Sequence, residues 1–281
     1  MARLVSGRLH VQTLPRHTYS VKQTLKSAER LVGLFRLLAP DIKPSRLCIN
    51  VIASWHGLKV CEVMHNDTTA RFQGIATRAV ATYSTAQILS ALYRKCSYIK
   101  FLMRPFGASQ DVASSPSWSS GPTLASLDRH RIAMIYLAQA HAYKTNTTRV
   151  TAASISSSWD ATDLAGIDHV GLTKDHLSRL VQSFDYLPGL ECQSASLPRV
   201  LYGQSSSSSL LQREQDRIDP LRDEEDYALW LPRHFASNHG SDAIDFQRAL
   251  TFFCRAQNDL EQIIISLQDV NYDDDDVASW C

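Results

Sequence analysis

Short apolar runs alternate with stretches of helical period along most of the chain. The pattern predicts a strand over His10–Leu14 (HVQTL) and then a helix over Val21–Leu38. That helix carries its apolar side chains at Val21, Leu25, Ala28, Val32, Phe35 and Leu38, a spacing that gathers them on one face. Ser20 is placed to cap it, and Pro40 and Pro44 bar its continuation. Further strands are predicted over Leu47–Ala53, Ile75–Thr82, Ser97–Met103, Arg149–Ile155 and His169–Leu172. Helices are predicted over Gly57–Met64, Ser84–Lys95 (with Ser84 or Thr85 near its start), Leu124–Tyr143, Trp159–Ala165, from Lys174 to Gln182, and over Asp242–Leu267. Pro105–Thr123 is dense in Ser, Pro and Gly and reads as a long loop. The serine run Ser205–Ser209 reads as a flexible connection.

Repeated strand-then-helix units predict a parallel sheet covered by helices. No GxGxxG or GxxxxGK[ST] stretch occurs, so dinucleotide and P-loop readings lose their support. A (β/α) barrel, or part of one, is the expected architecture, and chemistry in such barrels sits at the C-terminal strand ends. The expected organisation is one domain over residues 1–270 and an acidic tail over residues 271–281, which begins with the run Asp273–Asp276.

Composition narrows the function. The chain has 281 residues, 44% of them hydrophobic, enough for one sizeable core. A net charge of +1 gives no basic field for nucleic acid or an anionic membrane. No apolar run approaches the ~18 residues of a membrane span. The first residues lack the uninterrupted apolar stretch of a secretory signal. The six cysteines are scattered without a CxxC pair, which favours thiols over a zinc site or disulfide framework. The expectation is a soluble cytoplasmic protein with no metal and no cofactor, and with neither nucleic acid nor membrane as partner.

The most informative stretch is RLCINVIASWHGLKVCEVM, beginning at Arg46. It resembles a transaldolase pattern, I-K-[ILV]-[AP]-[ST]-W-[EQ]-G followed by a helix, through Ile49, Ala53, Ser54, Trp55 and Gly57. Other segments resemble the same family in the same order. They are the segment from Gly7 to Phe35, Gly74–Ala91 (family GI-x-x-[NL]-x-T-x-x-[FL]-[ST]), Arg149–Ser157, Leu164–Leu180, and the stretch around the last helix. The resemblance implies an incomplete (β/α)8 TIM barrel of the transaldolase type that begins at the family's third strand and lacks the first two β/α units. HNDTTARFQ (His65–Gln73) reads as an insertion.

The resemblance also implies a chemistry. A lysine on the fourth barrel strand attacks a ketose carbonyl and forms a Schiff base, since a desolvated amine can be neutral and nucleophilic near neutral pH. Asn50 stands at that lysine's position, and an amide nitrogen forms no Schiff base. Gln12 stands for a glutamate and Val80 for a threonine that place a catalytic water. Thr82, two residues beyond Val80, is expected on the same strand face. Of the phosphate-binding positions, a seventh-strand arginine falls at Ser156, with Ser154 beside it. Arg104 lies one residue from the sixth-strand arginine.

Lys100, in SYIKFL, falls where the family has a small residue facing the barrel mouth. It is the candidate for a relocated nucleophile. His56 is expected at the rim and Trp55 in the packing of its strand and helix. The leading expectation is a transaldolase-like protein without the family's Schiff-base chemistry. The alternatives are an active aldolase-type enzyme that uses Lys100, and an accessory protein of a biosynthetic pathway. A sugar phosphate is the expected ligand, and a second copy or another partner is expected against the open barrel edge.

Overall fold

A computed structural model describes residues 5–103, 124–145, 148–155, 164–183 and 241–270. Six strands form one parallel sheet in the order β1-β2-β3-β4-β5-β6. They are β1 (Leu9–Gln12), β2 (Leu47–Ile52), β3 (Ala76–Thr82), β4 (Tyr98–Leu102), β5 (Arg149–Ala153) and β6 (His169–Val170). The helices are α1 (Val21–Leu38), α2 (Trp55–Asn66), α3 (Thr85–Tyr93), α4 (Leu124–Thr145), α5 (Lys174–Ser183) and α6 (Ser241–Val270). Sequential parallel pairing with intervening helices is the connectivity of a (β/α) barrel. Six strands in this order make an α/β half-barrel.

The sheet is curled. In a flat sheet β1 and β4 would stand about 14 Å apart, three strand spacings. Here Arg8, just before β1, donates from Nη1 to the Tyr98 hydroxyl of β4 at 2.7 Å. The ring of His10 lies 5.7 Å from that of Tyr98, and Tyr98 lies 5.9 Å from His169 of β6. Side chains from the first, fourth and sixth strands therefore meet inside the curve.

Alternation along each strand sorts the side chains onto two faces. Ile49, Val51, Ala79, Ile99, Phe101, Val150 and Ala152 join Leu58, Ile88, Ile135 and Ala138 in the core between sheet and helices. The opposite parity faces the lumen. At the C-terminal ends, Ile52, Val80, Leu102 and Ala153 turn inward and pack under Phe246 and Ala249 of α6. An ion pair between Arg131 of α4 and Asp245, at 2.5 Å, fixes that helix.

The expected elements and the described ones agree closely. Ser20 caps α1, its side chain accepting from the Gln23 amide. The segment after α2, expected as an insertion, is tied down rather than loose: Arg71 pairs with Asp67 and Glu29, Arg36 donates to the carbonyls of Ala70 and Arg71, and Phe72 is buried. On α5, which follows β6 in the chain, Leu177 and Val181 are exposed. Of the expected helix Trp159–Ala165, residues 164 and 165 form a turn and the rest lies outside the described residues. The loop Pro105–Thr123, the serine run, the acidic tail, Arg104 and Ser156 lie outside them too. Among the described residues no helix is long and apolar enough to cross a membrane.

Candidate functional site

The S-W-x-G stretch is built by packing. Ser54 closes the end of β2 and opens α2. Its Oγ accepts from the Gly57 amide at 3.0 Å and donates to the Thr18 carbonyl at 2.7 Å. A Cβ at Gly57 would stand 2.1 Å from the Ile52 carbonyl oxygen, so only glycine lets the helix approach the strand this closely. Trp55 is buried beneath the Arg94 guanidinium, 5.1 Å from its ring centroid, and Arg94 pairs with Glu62 at 2.8 Å. Trp55 is therefore packing, and His56 stands edge-on to it and to Tyr19.

Asn50 occupies the lumen face of β2, buried at 8% exposure. In register it stands between Gln12 of β1 and Arg78 of β3. Arg78 donates its Nε hydrogen to Asn50 Oδ1 at 2.9 Å, and His10 also hydrogen-bonds the Asn50 side chain. Gln12 reaches the Asn50 backbone carbonyl at 3.3 Å. Gln12 and Asn50 thus come together, held by amide and guanidinium contacts.

Lys100 faces the same lumen from β4, in register with Thr151 of β5. Burial, and then the Arg78 charge, lower its pKa from the ordinary lysine value. Burial likewise lowers that of Arg78. His10, although its ring reaches solvent, is pulled down to about 4, by burial first and then by Arg78, with Lys100 and Arg8 adding to the effect and the Asn50 hydrogen bond opposing it. The lumen is therefore cationic: charge on one side chain is disfavoured by charge on the next.

Val80 lies apart from this layer, at the strand end beneath α6. Thr82 does not share its face. The register of β3 against β4 shifts between Ala79 and Thr82, Ala81 takes the left-handed φ of 58°, and Thr82 pairs with Phe101 on the helix side. A bulge breaks the two-residue period on which the expectation rested. Gln87 holds that bulge. Fully buried, it donates to the carbonyls of Ala53 and Ala81 and accepts from the amides of Tyr83 and Ser84. Ser154 is exposed just past β5 with a φ of 59°, and no described contact joins it to Lys100.

Arg78, His10 and Tyr98 were not singled out from the sequence as parts of this site. Parity carried the signal: Arg78 is two residues before Val80, His10 two before Gln12 and Tyr98 two before Lys100, so each shares a strand face with a residue that was. Among the described residues no three His, Cys, Asp or Glu side chains could together hold a metal ion.

A family model described as Transaldolase/Fructose-6-phosphate aldolase matches residues 1–200. The chain is 22% identical over 190 residues to a protein named transaldolase from Fusarium oxysporum f. sp. lycopersici, an alignment covering 66% of this chain and 54% of that protein. It is 23% identical over 190 residues to a protein of the same name from Haemophilus ducreyi, covering 66% and 55%. The chain spans about half the length of the curated relatives it matches.

Proposed function

Because this chain belongs to the transaldolase/fructose-6-phosphate aldolase family, we propose that it uses the barrel lumen to bind a phosphorylated sugar and forms no Schiff base on β2. The observation that carries this reading is Asn50. It takes the inward place on β2 where the family pattern has lysine, and its amide oxygen accepts from Arg78. A Schiff base needs a nitrogen lone pair free to attack a carbonyl; the amide lone pair is delocalised. Gln12 keeps the shape of a glutamate without its basicity, and Val80 offers no hydroxyl to place a water.

Borohydride trapping tests this. The protein is incubated with fructose 6-phosphate or dihydroxyacetone and reduced, and its intact mass and peptides are read. No adduct is expected from a sample that circular dichroism shows to be folded. A reduced adduct on any lysine of the lumen overturns the reading.

A second reading has one observation in its favour. Lys100 faces the lumen, and burial together with Arg78 favours its neutral, nucleophilic form. Here the protein is an aldolase-type enzyme whose amine has moved from β2 to β4. Trapped mass on Lys100, absent from Lys100→Met, separates this reading from the first.

A further inference from the structure

Arg78 and Lys100 are two cations on adjacent strands of one lumen face. Arg78 stands in register with Tyr98, and Lys100 follows Tyr98 by two residues on the same face of β4, so the two cations are near neighbours across the strand pair. Two long side chains close that gap readily. Among the described residues neither meets a carboxylate. Arg78 makes one hydrogen bond, from Nε to Asn50, and its Nη groups are not engaged by any described residue.

The buried carboxylates of neighbouring elements are already committed. Asp168 is held by Arg149 and by the Val150 amide, and Asp245 by Arg131 and Arg248. Charges held partly out of water are ordinarily paired. Here two half-buried cations lie side by side, and the Arg78 charge makes that of Lys100 costlier. The rest of the layer supplies hydrogen-bond groups without negative charge: His10, Gln12, Asn50 and Tyr98.

The lumen has an entrance. α6 covers the C-terminal strand ends with apolar contacts, but His10 of β1 and His169 of β6 are exposed, so the curve is open on its side. A ligand reaching this layer from that side meets a charge of about +2 with donors around it, which matches a phosphate monoester dianion.

We propose that the Arg78–Lys100 pair is a phosphate subsite: the dianionic phosphate of a sugar monoester bridges the guanidinium and the ammonium within the strand layer. It lies before the strand ends, whereas positions 104 and 156 follow them. This deepens the binding reading above and rests on it, since Lys100 serves as a charge contact and not as a nucleophile. The phosphate replaces the missing counter-charge, and Asn50 keeps the guanidinium aligned while it does so.

The test uses the full chain and four probes: inorganic phosphate, fructose 6-phosphate, fructose and acetate. Thermal unfolding and titration calorimetry are the readouts. Inorganic phosphate and fructose 6-phosphate are expected to bind and raise Tm; fructose and acetate are not. Lys100→Met is expected to leave the unliganded Tm unchanged or higher, because it removes a half-buried cation that meets no described carboxylate, and to weaken phosphate binding about tenfold or more. Arg78→Lys keeps charge without the planar fork and is expected to bind more weakly than wild type yet better than Arg78→Met. Should Arg78→Met fail to fold, the other two variants carry the test.

An unchanged response to phosphate in Lys100→Met and Arg78→Lys overturns the subsite, as does equal binding of acetate. Binding of inorganic phosphate but not of fructose 6-phosphate leaves an anion site and overturns the sugar-ester assignment. A borohydride adduct on Lys100 overturns the binding reading itself, whatever the phosphate titration gives.

Discussion

Arg78 donates its Nε hydrogen to the Oδ1 of Asn50 across 2.9 Å, joining β3 to β2 inside the lumen. The resemblance read from the sequence places this β2 residue where the family pattern has lysine and this β3 residue where it has Asn or Leu. Here the amide sits on β2 and the cation on β3. A cation is kept within the layer, one strand over, as a guanidinium that holds its charge at any ordinary pH and cannot act as an amine nucleophile.

Restoring the lysine alone should therefore fail. Asn50→Lys places an ammonium against Arg78 with Lys100 close by, and removes the acceptor of the Arg78 hydrogen bond. A loss of about 1–3 kcal/mol is expected. Arg78→Asn in the same chain removes the clash and returns an amide to the neighbouring strand. The double variant should recover stability beyond the sum of the single effects, as contacting pairs do. Urea unfolding of all four proteins checks this, and strict additivity would sink the idea that the two positions exchanged roles.

The His10 shift gives a pH signature. Its pKa of about 4 in the folded state lies below the ~6.5 of an unfolded histidine. Between those values the unfolded chain holds the extra proton, so this contribution is complete above about 6.5 and is lost as pH falls toward 4. Arg78, Lys100 and Arg8 face the imidazole, and each disfavours its protonation. Urea midpoints measured from pH 7.5 to 4 should fall less steeply in His10→Gln than in wild type. Phosphate should flatten the wild-type curve, because an anion between Arg78 and Lys100 relieves the repulsion that depresses His10. Parallel curves for the two proteins would remove His10 from the lumen layer.

The alternation of short apolar runs and helical stretches made the half-barrel legible, because a parallel sheet buried on its helix side needs that pattern. The expectation that Lys100 faces inward came from the family resemblance, as did the positions of Asn50 and Gln12; parity within a regular strand then keeps each on one face. Parity misled at Thr82, where the Ala81 bulge inserts a residue that no local composition announces. Packing at a distance was not legible either. Nothing near Asp242–Leu267 in sequence says that Phe246 seats on Ile52, Val80 and Leu102, since that contact depends on the curl of the sheet. The charge balance of the lumen was likewise hidden, because it sums residues from four strands.

Gln87 should be the most sensitive polar residue of the fold. Its amide joins the end of β2, the Ala81 bulge and the start of α3, where it also completes a capping box with Ser84. Gln87→Leu fills the same space and leaves several buried backbone groups without partners, each worth about 1–3 kcal/mol. A loss of at least ~3 kcal/mol is expected in chemical unfolding. Ala81→Gly should act oppositely and stabilise by a few tenths to ~1 kcal/mol, since glycine takes a φ near 58° without strain. A neutral Gln87→Leu would mean that the bulge is held by other contacts.

The helix over the strand ends is set apart from access and binding. Phe246 is buried against Ile52, Val80 and Leu102, and truncation of a buried phenylalanine costs about 3–5 kcal/mol. Phe246→Ala should therefore loosen α6, against the restraint of the Arg131–Asp245 ion pair. Lys100 lies just beneath that apolar layer but is reached from the open side, so its labelling by an amine-reactive reagent should hardly change in the variant, read by peptide mass. Phosphate affinity should hardly change, because the subsite is entered from the open side, past His10 and His169. Unchanged labelling with unchanged affinity fits a cap that neither shields the amine nor forms the anion site. Loss of phosphate binding in Phe246→Ala would instead make α6 part of the binding surface and move the entrance to the strand ends.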